Sequence, residues 1–320
     1  MVGDNGVGKT NLLEALHVGT QGFSPRTRSE GQLVRFGERE GLLSLELERS
    51  AVRHTVTVNF GSAAAKQADL DGARLPSAES LRREFPTLVF TPDRLAVVKG
   101  SPAARRAYLD RTAGRLFPAR LATPQDYMAA LAQRNAALRR IQLGVSGRDA
   151  LGPWTAQVAE RGARLVELRR EAVAALQPRF AERAAELGLA GGRLAYDAEP
   201  VTVAALEARL EQDLARGATG AGPHLDDLVI AAGDRELRSF GSQGEQRLAV
   251  LSLLLGEAEL LEREPLLLLD DVLSELDARR RAVLAARLAE MGQVMITATQ
   301  RSAFPIEPAQ VVEVGPGQAR

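Results

Sequence analysis

The octapeptide GDNGVGKT constrains this chain more than any other feature, because it fits G-x-x-x-x-G-K-[ST] at every fixed position. Its residues are Gly3, Asp4, Asn5, Gly6, Val7, Gly8, Lys9 and Thr10. The glycines allow backbone N–H groups to turn inward around phosphate oxygens. Lys9 is placed to reach the β- and γ-phosphates, and the Thr10 hydroxyl to ligand Mg²⁺. The motif therefore predicts a nucleoside triphosphate site, and the alternative is a plain glycine-rich turn.

The surroundings of the motif fit a phosphate loop on one side only. A helix should follow, and Asn11–His17 is helix-prone, with Gly19 as the expected stop. A strand should precede it, yet only Met1 and Val2 do so. Either the chain begins too far downstream, or it is truncated, or another element completes the sheet.

Composition sets wide limits. The 320 residues favour one large or two moderate domains, and 45% hydrophobic with 26% charged residues is usual for a globular protein. No apolar run could span a bilayer and there is no cysteine, so we expect a cytoplasmic protein with no membrane partner and no thiolate metal site. Lys+Arg and Asp+Glu each number 41, so any DNA contact must use a local patch.

The order of elements predicts an α/β fold interrupted by helices. Residues 1–100 contain strands at 42–48, 54–60 and 87–90, with a turn at Asp71-Gly72. Residues 101–217 are rich in Ala, Leu, Arg and Glu, with candidate helices at 102–116, 125–142, 154–187 and 203–215. Residues 218–320 return to α/β, with strands at 228–231, 265–270, 294–297 and 311–314 and helices at 244–261 and 278–291. We predict a head formed by 1–100 and 218–320, and an inserted arm at 101–217.

The helical insertion has its own boundary signals. Ser101 and Pro102 are suited to the cap and first position of a helix. The helix at 154–187 carries one apolar stripe; we expect Pro178 to bend or break it and Gly188 to end it. An antiparallel helical arm fits this pattern, and an ordinary all-α subdomain is the alternative.

Two further segments suit a triphosphate site. Four leucines end in Asp270 and Asp271, as in a buried strand with carboxylates at its tip. We assign Asp270 to Mg²⁺ together with Thr10, and Asp271 to the attacking water, so the catalytic set is Lys9, Asp270 and Asp271. Alternatively the acids cap a loop, while Asp277 caps the helix that follows.

The second segment is Ser242-Gln243-Gly244-Glu245, which lies directly before a helix and offers hydroxyl and N–H donors to an anion. The alternative is a capping box, with Ser242 as the cap and Glu245 three residues later.

These segments in this order resemble the ABC-type ATPase head, with its Walker A, signature and Walker B motifs and its D-loop at 274–277. Within that superfamily the chain resembles the RecF family, over essentially its whole length. The segments that carry the resemblance are Gly8–Ala15, Phe90–Asp93, Lys99–Pro102 with Arg105-Arg106 and Leu109-Asp110, Gln133–Asn135, and Gly222–His224 with Asp226–Leu228.

The resemblance implies a head like those of SMC proteins with a short helical arm. It implies that ATP is sandwiched between two protomers, with Ser242, Gln243 and Gly244 of one copy facing the P-loop and Asp270 of the other. It also implies ATP-driven dimerisation on double-stranded DNA and at duplex–single-strand junctions, release by slow ATP hydrolysis, and action with RecO and RecR to load RecA. These belong to DNA recombination, replication, repair and the SOS response to DNA damage.

Some positions depart from the family pattern. Leu225 stands where arginine is usual, and Glu245 replaces a glutamine. Asp271 rather than glutamate occupies the water-activating position, which is usual for the RecF group and gives a shorter reach. No histidine follows Asp277, and Thr297 or Thr299 is the candidate to replace the switch histidine of transporters.

DNA contacts and rival functions stay open at this point. The candidate DNA-binding residues are Arg105, Arg106, Arg134, Arg139 and Arg140. Arginine can bridge phosphates, but a solvated helix face is the alternative for each. The rival functions are a transporter motor subunit, an ATPase acting on protein partners without DNA, and a non-enzymatic scaffold.

Overall fold

The computed structural model describes residues 1–27, 29–49, 51–61, 67–274 and 276–320. By internal contacts the chain forms two compact units. The first unit comprises Met1–Leu95, Glu186–Gly188 and Leu261–Arg320, and the second comprises Ala96–Ala185 and Leu189–Leu260. This division differs from the boundaries that the sequence suggests, because residues 218–260 pack with the helices of the second unit.

A parallel sheet forms the centre of the first unit. Its strands are β5 (Thr87–Phe90), β9 (Leu266–Leu269) and β10 (Val294–Ile296), in the order β10-β9-β5. Their side chains are nearly all apolar, as expected for strands covered on both faces. Because the strands are parallel and Phe90 and Ile296 are both in register with Leu269, the residues that follow all three strands meet at one edge.

Met1 and Val2 lie in line with this sheet. Val2 forms parallel bridges to Ala298, just after β10, and to Glu313. Its N–H donates to Val312 O at 2.9 Å, and its carbonyl accepts from the N–H of Val314 at 2.8 Å. These two residues thus occupy the position expected of a strand that leads into a phosphate loop. The strand expected at 311–314 is confined to β11 (Val314–Gly315), which pairs with β12 (Gln318–Ala319).

An antiparallel sheet packs on the first helix. Its strands, in order, are β1 (Glu40–Arg49), β2 (Val52–Gly61), β3 (Gln67–Leu70) and β4 (Ala73–Arg74). The strands and the turn expected from the alternating pattern are confirmed. The helices of this unit are α1 (Lys9–Gln21), α2 (Ala78–Glu84) and α11 (Ala278–Ala289).

The expected end of α1 at Gly19 is wrong. The helix runs on to Gln21 and ends at Gly22, which has φ 73°. Gly19 is buried inside the helix, and a Cβ there would collide with the side chains of Leu43 and Leu45. The glycine therefore permits close packing of helix on strand rather than termination.

Helices dominate the second unit. They are α3 (Ala96–Lys99), α4 (Pro102–Leu116), α5 (Thr123–Gln142), α6 (Gly152–Glu186), α7 (Val203–Ala208), α8 (Leu210–Arg216), α9 (Leu237–Phe240) and α10 (Gln243–Leu260). A small antiparallel sheet accompanies them, with strands β6 (Gly192–Ala195), β7 (Val229–Ala232) and β8 (Arg235–Glu236). The helices expected at 102–116, 125–142 and 154–187 are confirmed within two residues. The helix expected at 203–215 is divided at Arg209.

The arm is an antiparallel pair with two shorter helices beside it. Near one end, Tyr127 and Leu131 of α5 pack with Val158 and Leu165 of α6. Near the other end, Leu138 of α5 packs with the start of α6 and with α8. The order of contacts along the two helices is reversed, so α5 and α6 are antiparallel. Because α7 joins the first cluster through Leu206 and α8 joins the second through Leu214, the arm is also a small helical subdomain.

The expected break of α6 at Pro178 is wrong, because the helix continues to Glu186. Proline removes one helical hydrogen bond, at a cost of about 3 kcal/mol. Leu176 and Phe180 are almost fully buried on either side of it, and each contributes roughly 1.5–3 kcal/mol by burial. Packing therefore maintains the helix. Gly188, with φ 86°, does end it, and the N–H of Leu189 donates to Ala184 O at 2.7 Å.

Among the described residues, no helix combines the length and apolarity that crossing a membrane would require.

Candidate nucleotide site

The phosphate loop connects Val2 of the sheet to α1. Gly6 and Gly8 have φ values of 83° and 108°, which side chains rarely adopt, and Gly8 is the N-cap of α1. At Gly3 a Cβ would collide with the carbonyl oxygen of Val314. The fixed glycines of the motif are thus required by backbone conformation and by close approach. Asp4, Asn5 and Gly6 are exposed, whereas Val7 is half-buried.

Lys9 folds back over this loop. Its Nζ donates to Gly3 O at 2.7 Å and to Asp4 O at 2.9 Å. Both acceptors belong to the loop itself, so the ammonium group lies against the loop that leads to the N-cap of α1 at Gly8. Positive charge and helix N-terminal dipole together favour an anion at this position.

The edge of the parallel sheet brings the two expected Mg²⁺ ligands together. Asp270 follows β9, and its N–H donates to Phe90 O at 2.9 Å. The Thr10 hydroxyl lies 2.9 Å from Asp270 Oδ2 and 3.1 Å from Oδ1. Only 6% of Asp270 is exposed. The sequence separates these residues by 260 positions, and the sheet places them in contact.

Thr297 is the third member of this cluster. It follows β10 and is 1% exposed. Its hydroxyl donates to Asp270 Oδ1 at 2.7 Å and accepts from the N–H of Asp271 at 2.8 Å. The sequence suggested Thr297 or Thr299 at this place; Thr297 is buried beside Asp270, whereas Thr299 is exposed.

Asp271 adopts a left-handed conformation with φ 47° and is exposed. Its carboxylate accepts from the Ser274 hydroxyl at 3.0 Å, as does its own carbonyl oxygen. Asp271 is therefore held at both its N–H and its carboxylate. It stands next to the buried Asp270 but faces solvent.

Asp277 caps α11, as expected. Its carboxylate accepts from the N–H of Arg280 at 2.8 Å, and its Oδ2 lies 3.2 Å from Arg280 Nη1. Within the expected D-loop, Glu275 lies outside the described residues.

The signature segment lies in the second unit, ahead of α10. Ser242, Gln243 and Gly244 are all exposed. A capping box is formed: the N–H of Glu245 donates to Ser242 Oγ at 3.2 Å, and the N–H of Ser242 donates to Glu245 Oε2 at 2.8 Å. The capping alternative is therefore correct for Ser242 and Glu245, and it leaves the Gln243 side chain and the Gly244 backbone accessible.

Glu245 does not carry an isolated charge. Its Oε1 lies 2.7 Å from Arg235 Nη2, and this contact, with the Ser242 N–H, holds the pKa of Glu245 below its ordinary value. The carboxylate that replaces the usual glutamine is thus charged and paired with Arg235. Arg235 lies in the short strand β8, ahead of α9, and its position ten residues before Glu245 gave no signal of the pairing.

Comparison with known proteins agrees with this geometry. The protein-family model described as the RecF/RecN/SMC N-terminal domain matches residues 1–315. The DNA replication and repair protein RecF of Anaeromyxobacter sp. (strain K) is 41% identical over 97% of this chain and 87% of its own length. This chain belongs to the RecF family.

Other members and solved structures support the assignment. RecF of Synechococcus sp. (strain JA-3-3Ab) is 33% identical over 99% of this chain and 90% of its own length. The structure of the recombination mediator protein RecF-ATP in the RecFOR pathway matches with a TM-score of 0.88 and 28% identity, over 100% of this chain and 90% of that one.

The SMC head of Pyrococcus yayanosii matches with a TM-score of 0.58 at 14% identity, over 100% of this chain and 90% of that one, and so shares the fold. The expected fold, an ABC-type ATPase head with an inserted helical region, is confirmed. The alternative of a transporter motor subunit is not favoured.

Two of the arginines suggested for DNA are not available to it. Arg105 is 1% exposed; its Nε lies 2.6 Å from Asp227 Oδ1 and its Nη2 2.5 Å from Oδ2. Arg134 is also 1% exposed, with its Nη1 2.8 Å from Asp213 Oδ2 and 2.7 Å from Thr219 Oγ1. The DNA-binding assignment of both is wrong, because each is the buried partner of a carboxylate.

The other three arginines differ in exposure. Arg106 is half-buried and donates to Asp226 O at 2.7 Å. Arg139 and Arg140 are exposed near the C-terminal end of α5, and neither forms an ion pair with a described residue. These two stay candidates for a phosphate contact.

The RecF-like segment Gly222–Leu228 is held by buried arginines. Besides the Arg105–Asp227 pair, Arg169 donates to Pro223 O at 2.7 Å, and the Tyr196 hydroxyl donates to Asp226 Oδ2 at 2.6 Å. Leu225, by contrast, is 57% exposed. The arginine expected there from the family would lie on the surface.

Proposed function

We propose that this chain is an ATP-dependent DNA-binding protein of recombinational gap repair and replication. In this proposal ATP and Mg²⁺ join two copies on duplex DNA, and slow hydrolysis releases them. The family relationship supports the general role, since the relatives carry the name of a DNA replication and repair protein.

The observation that carries the proposal is that the groups suited to a triphosphate belong to two segments, one in each unit. Lys9, Thr10 and Asp270 lie around the phosphate loop of the first unit. Ser242, Gln243 and Gly244 lie exposed at the start of α10 in the second unit. If the signature of one copy faces the phosphate loop of another, the terminal phosphate is surrounded only in the dimer. Dimer affinity then depends on that phosphate.

The donor set fits a hard cation. The Thr10 hydroxyl and the Asp270 carboxylate are oxygen ligands within 3.1 Å of each other, which is the chemistry that Mg²⁺ prefers beside substrate phosphates. We assign Thr10 and Asp270 to hold Mg²⁺. When bound, the cation offsets charge on the β- and γ-phosphates.

The protein groups have separate roles in this mechanism. Lys9 and the N–H groups of Gly3–Thr10 bind and orient the phosphates. Asp271 is adjacent to Asp270 and faces solvent, so its carboxylate is placed to orient a water molecule. Since aspartate reaches less far than glutamate, slow hydrolysis is expected, which suits a timed switch.

The partners follow from the relatives. The matching structure is of RecF-ATP in the RecFOR pathway, and we propose that this chain likewise acts with RecO and RecR, and through them with RecA. We propose double-stranded DNA and duplex–single-strand junctions as its substrates, bound through exposed arginines such as Arg139 and Arg140.

Light scattering after size exclusion, with and without ATP–Mg²⁺, tests the proposal. Wild type is expected to be monomeric without ATP and dimeric with it. Lys9→Ala should lose about 10–150-fold in ATP affinity, because a charge-assisted phosphate contact contributes roughly 1.5–3 kcal/mol. Ser242→Arg should retain ATP and stay monomeric.

Lys99→Ala is the matched control, since Lys99 is the other described lysine and is exposed at the end of α3. It should bind ATP and dimerise as wild type does. A dimer that forms equally without ATP, or a Ser242→Arg protein that still dimerises with it, would refute the proposal that ATP joins two copies.

A further inference from the structure

A buried threonine that contacts both acidic residues of the Walker B segment suggests a further role in the nucleotide site. Thr297 is buried, follows β10, and contacts Asp270 and Asp271 through one oxygen atom. It is fixed in the sheet by its own N–H, which donates to Leu269 O at 3.0 Å. Its hydroxyl is therefore attached to the central sheet of the first unit.

The direction of each hydrogen bond is determined by the chemistry. A carboxylate only accepts and a backbone N–H only donates, so the Thr297 hydroxyl gives its proton to Asp270 Oδ1 and accepts from Asp271. Both of its contacts are satisfied only by a hydroxyl in this orientation. Valine at this position could make neither contact, whereas serine could make both.

The two contacts act on different features of the site. The first holds Asp270 Oδ1 at 2.7 Å from Thr297, while the Thr10 hydroxyl lies nearer to Oδ2, at 2.9 Å, than to Oδ1, at 3.1 Å. The second stabilises the N–H of Asp271 in a left-handed conformation with φ 47°, which is uncommon for a residue with a side chain. One hydroxyl thus sets the orientation of the carboxylate and the backbone of the residue after it.

We propose that Thr297 is a positioning residue that orients Asp270 toward Mg²⁺ and fixes Asp271 for its contact with water. This inference rests on the proposed ATP–Mg²⁺ function. In this role Thr297 acts through the two aspartates that it contacts. Partners that orient a metal ligand typically change metal affinity by about 10–100-fold when they are removed.

The test measures the Mg²⁺ dependence of nucleotide binding rather than turnover. Fluorescent methylanthraniloyl-ATP is bound to the whole chain at increasing MgCl₂, and its affinity is also measured in EDTA. For Thr297→Val the Mg²⁺ concentration at half-effect should rise about tenfold or more, with the affinity in EDTA within about twofold of wild type. Thr297→Ser should stay close to wild type in both.

Thr87→Val is the matched control. Thr87 is also 1% exposed in the same parallel sheet, but it lies at the opposite end of β5 and its hydroxyl contacts Thr20 and Phe85 O. The control should lose thermal stability and keep the wild-type Mg²⁺ dependence. If Thr297→Val does not fold, Thr297→Ala removes the same hydroxyl with a smaller side chain.

The outcomes separate the inference from the function on which it rests. If Thr297→Val and Thr87→Val show the same Mg²⁺ dependence, or if Thr297→Ser is as impaired as Thr297→Val, the positioning role is overturned and the ATP–Mg²⁺ function stands. If wild type itself binds no ATP, the proposed function fails, and the inference fails with it. If only the valine or alanine variant shifts the Mg²⁺ dependence, the positioning role is supported.

Discussion

Two regions contain buried charged side chains but differ in how the charges are compensated. The first is the nucleotide edge, the end of the parallel sheet of the first unit where Asp270 lies. The second is the helical network of the second unit, which contains Arg105 and Arg134. Asp270 is surrounded by hydroxyl groups of Thr10 and Thr297, and no arginine or lysine of the described residues forms an ion pair with it. Arg105 and Arg134 each contact a carboxylate directly. A carboxylate held by neutral donors can still accept a metal, whereas a paired arginine is already used. A buried charged side chain without a partner of opposite charge therefore indicates a functional role here. A buried charged side chain that has such a partner indicates a structural role.

The largest effect is expected from a substitution that breaks the buried ion pair of Arg134 and Asp213 in the arm. Arg134→Met leaves Asp213, 1% exposed, without its cation, and such a loss costs about 3–5 kcal/mol of unfolding free energy. The single tryptophan, Trp154, lies at the start of α6 and packs against the same helices, so its fluorescence in urea reports unfolding of this unit. Arg139→Ala, at an exposed position of α5, should cost less than about 0.5 kcal/mol. Equal losses for the two variants would remove the distinction.

The next prediction concerns the first unit, where a substitution should change Mg²⁺ binding strongly and stability only slightly. Asp270→Asn keeps the shape and removes the charge, so calorimetric stability without nucleotide should change by less than about 1.5 kcal/mol, since uncharged hydrogen bonds remain possible. The Mg²⁺ concentration needed for tight nucleotide binding should rise at least about 10–100-fold. That is the loss expected when a residue that only supports a metal ligand is removed, and Asp270 is proposed as the ligand itself. A loss of stability as large as that of Arg134→Met, with Mg²⁺ dependence retained, would make Asp270 a structural residue.

The same contrast explains what the sequence could predict. The phosphate loop, the strand before Asp270 and the cap at Asp277 were predictable because each depends on residues close together in the chain. Asp270 was predictable as the partner of Thr10 because a phosphate loop requires a carboxylate that helps to bind Mg²⁺. The structure places the two side chains in contact.

The failures share another physical origin. Pro178 lies inside a helix because burial of Leu176 and Phe180 offsets its missing hydrogen bond. Gly19 lies inside another because a strand packs against it. Arg105 and Arg134 resemble surface arginines in the sequence, and their partners Asp227 and Asp213 are 122 and 79 residues away. Only tertiary contacts decide these cases, and a single sequence contains no direct signal for them.

A third prediction sharpens the contrast between paired and unpaired arginines. Arg139→Ala/Arg140→Ala should weaken binding of a labelled DNA duplex in the presence of ATP. The slope of log affinity against log salt should become shallower by about 0.9 for each phosphate that the protein no longer neutralises. Arg148→Ala/Arg170→Ala removes the same charge from arginines that are already paired with Glu211 and Glu199, and it should change the slope much less. Identical slopes for both double variants would place the DNA interface elsewhere.

The smallest effect expected is a pH dependence within the helical network. His224 Nε2 lies 3.1 Å from Thr219 O, which only accepts, so Nε2 carries a proton; Nδ1 lies 2.6 Å from the Tyr127 hydroxyl, which donates to it when the ring is neutral. Burial lowers the pKa of His224 below its ordinary value of 6.5. The unfolded chain therefore binds a proton that the folded chain does not. The stability of the unit should be full above about pH 6.5 and should fall as the pH decreases below that value.

The decrease cannot exceed about 1.4 kcal/mol per pH unit for one group. Trp154 fluorescence in urea, compared above and below the ordinary pKa of histidine, measures it for the second unit, where His224 is the histidine; His17 and His54 lie in the first unit. His224→Gln should reduce the difference between the two pH values, because it removes the titrating group. A His224→Gln variant that keeps the full difference would show that a group other than His224 causes the pH dependence.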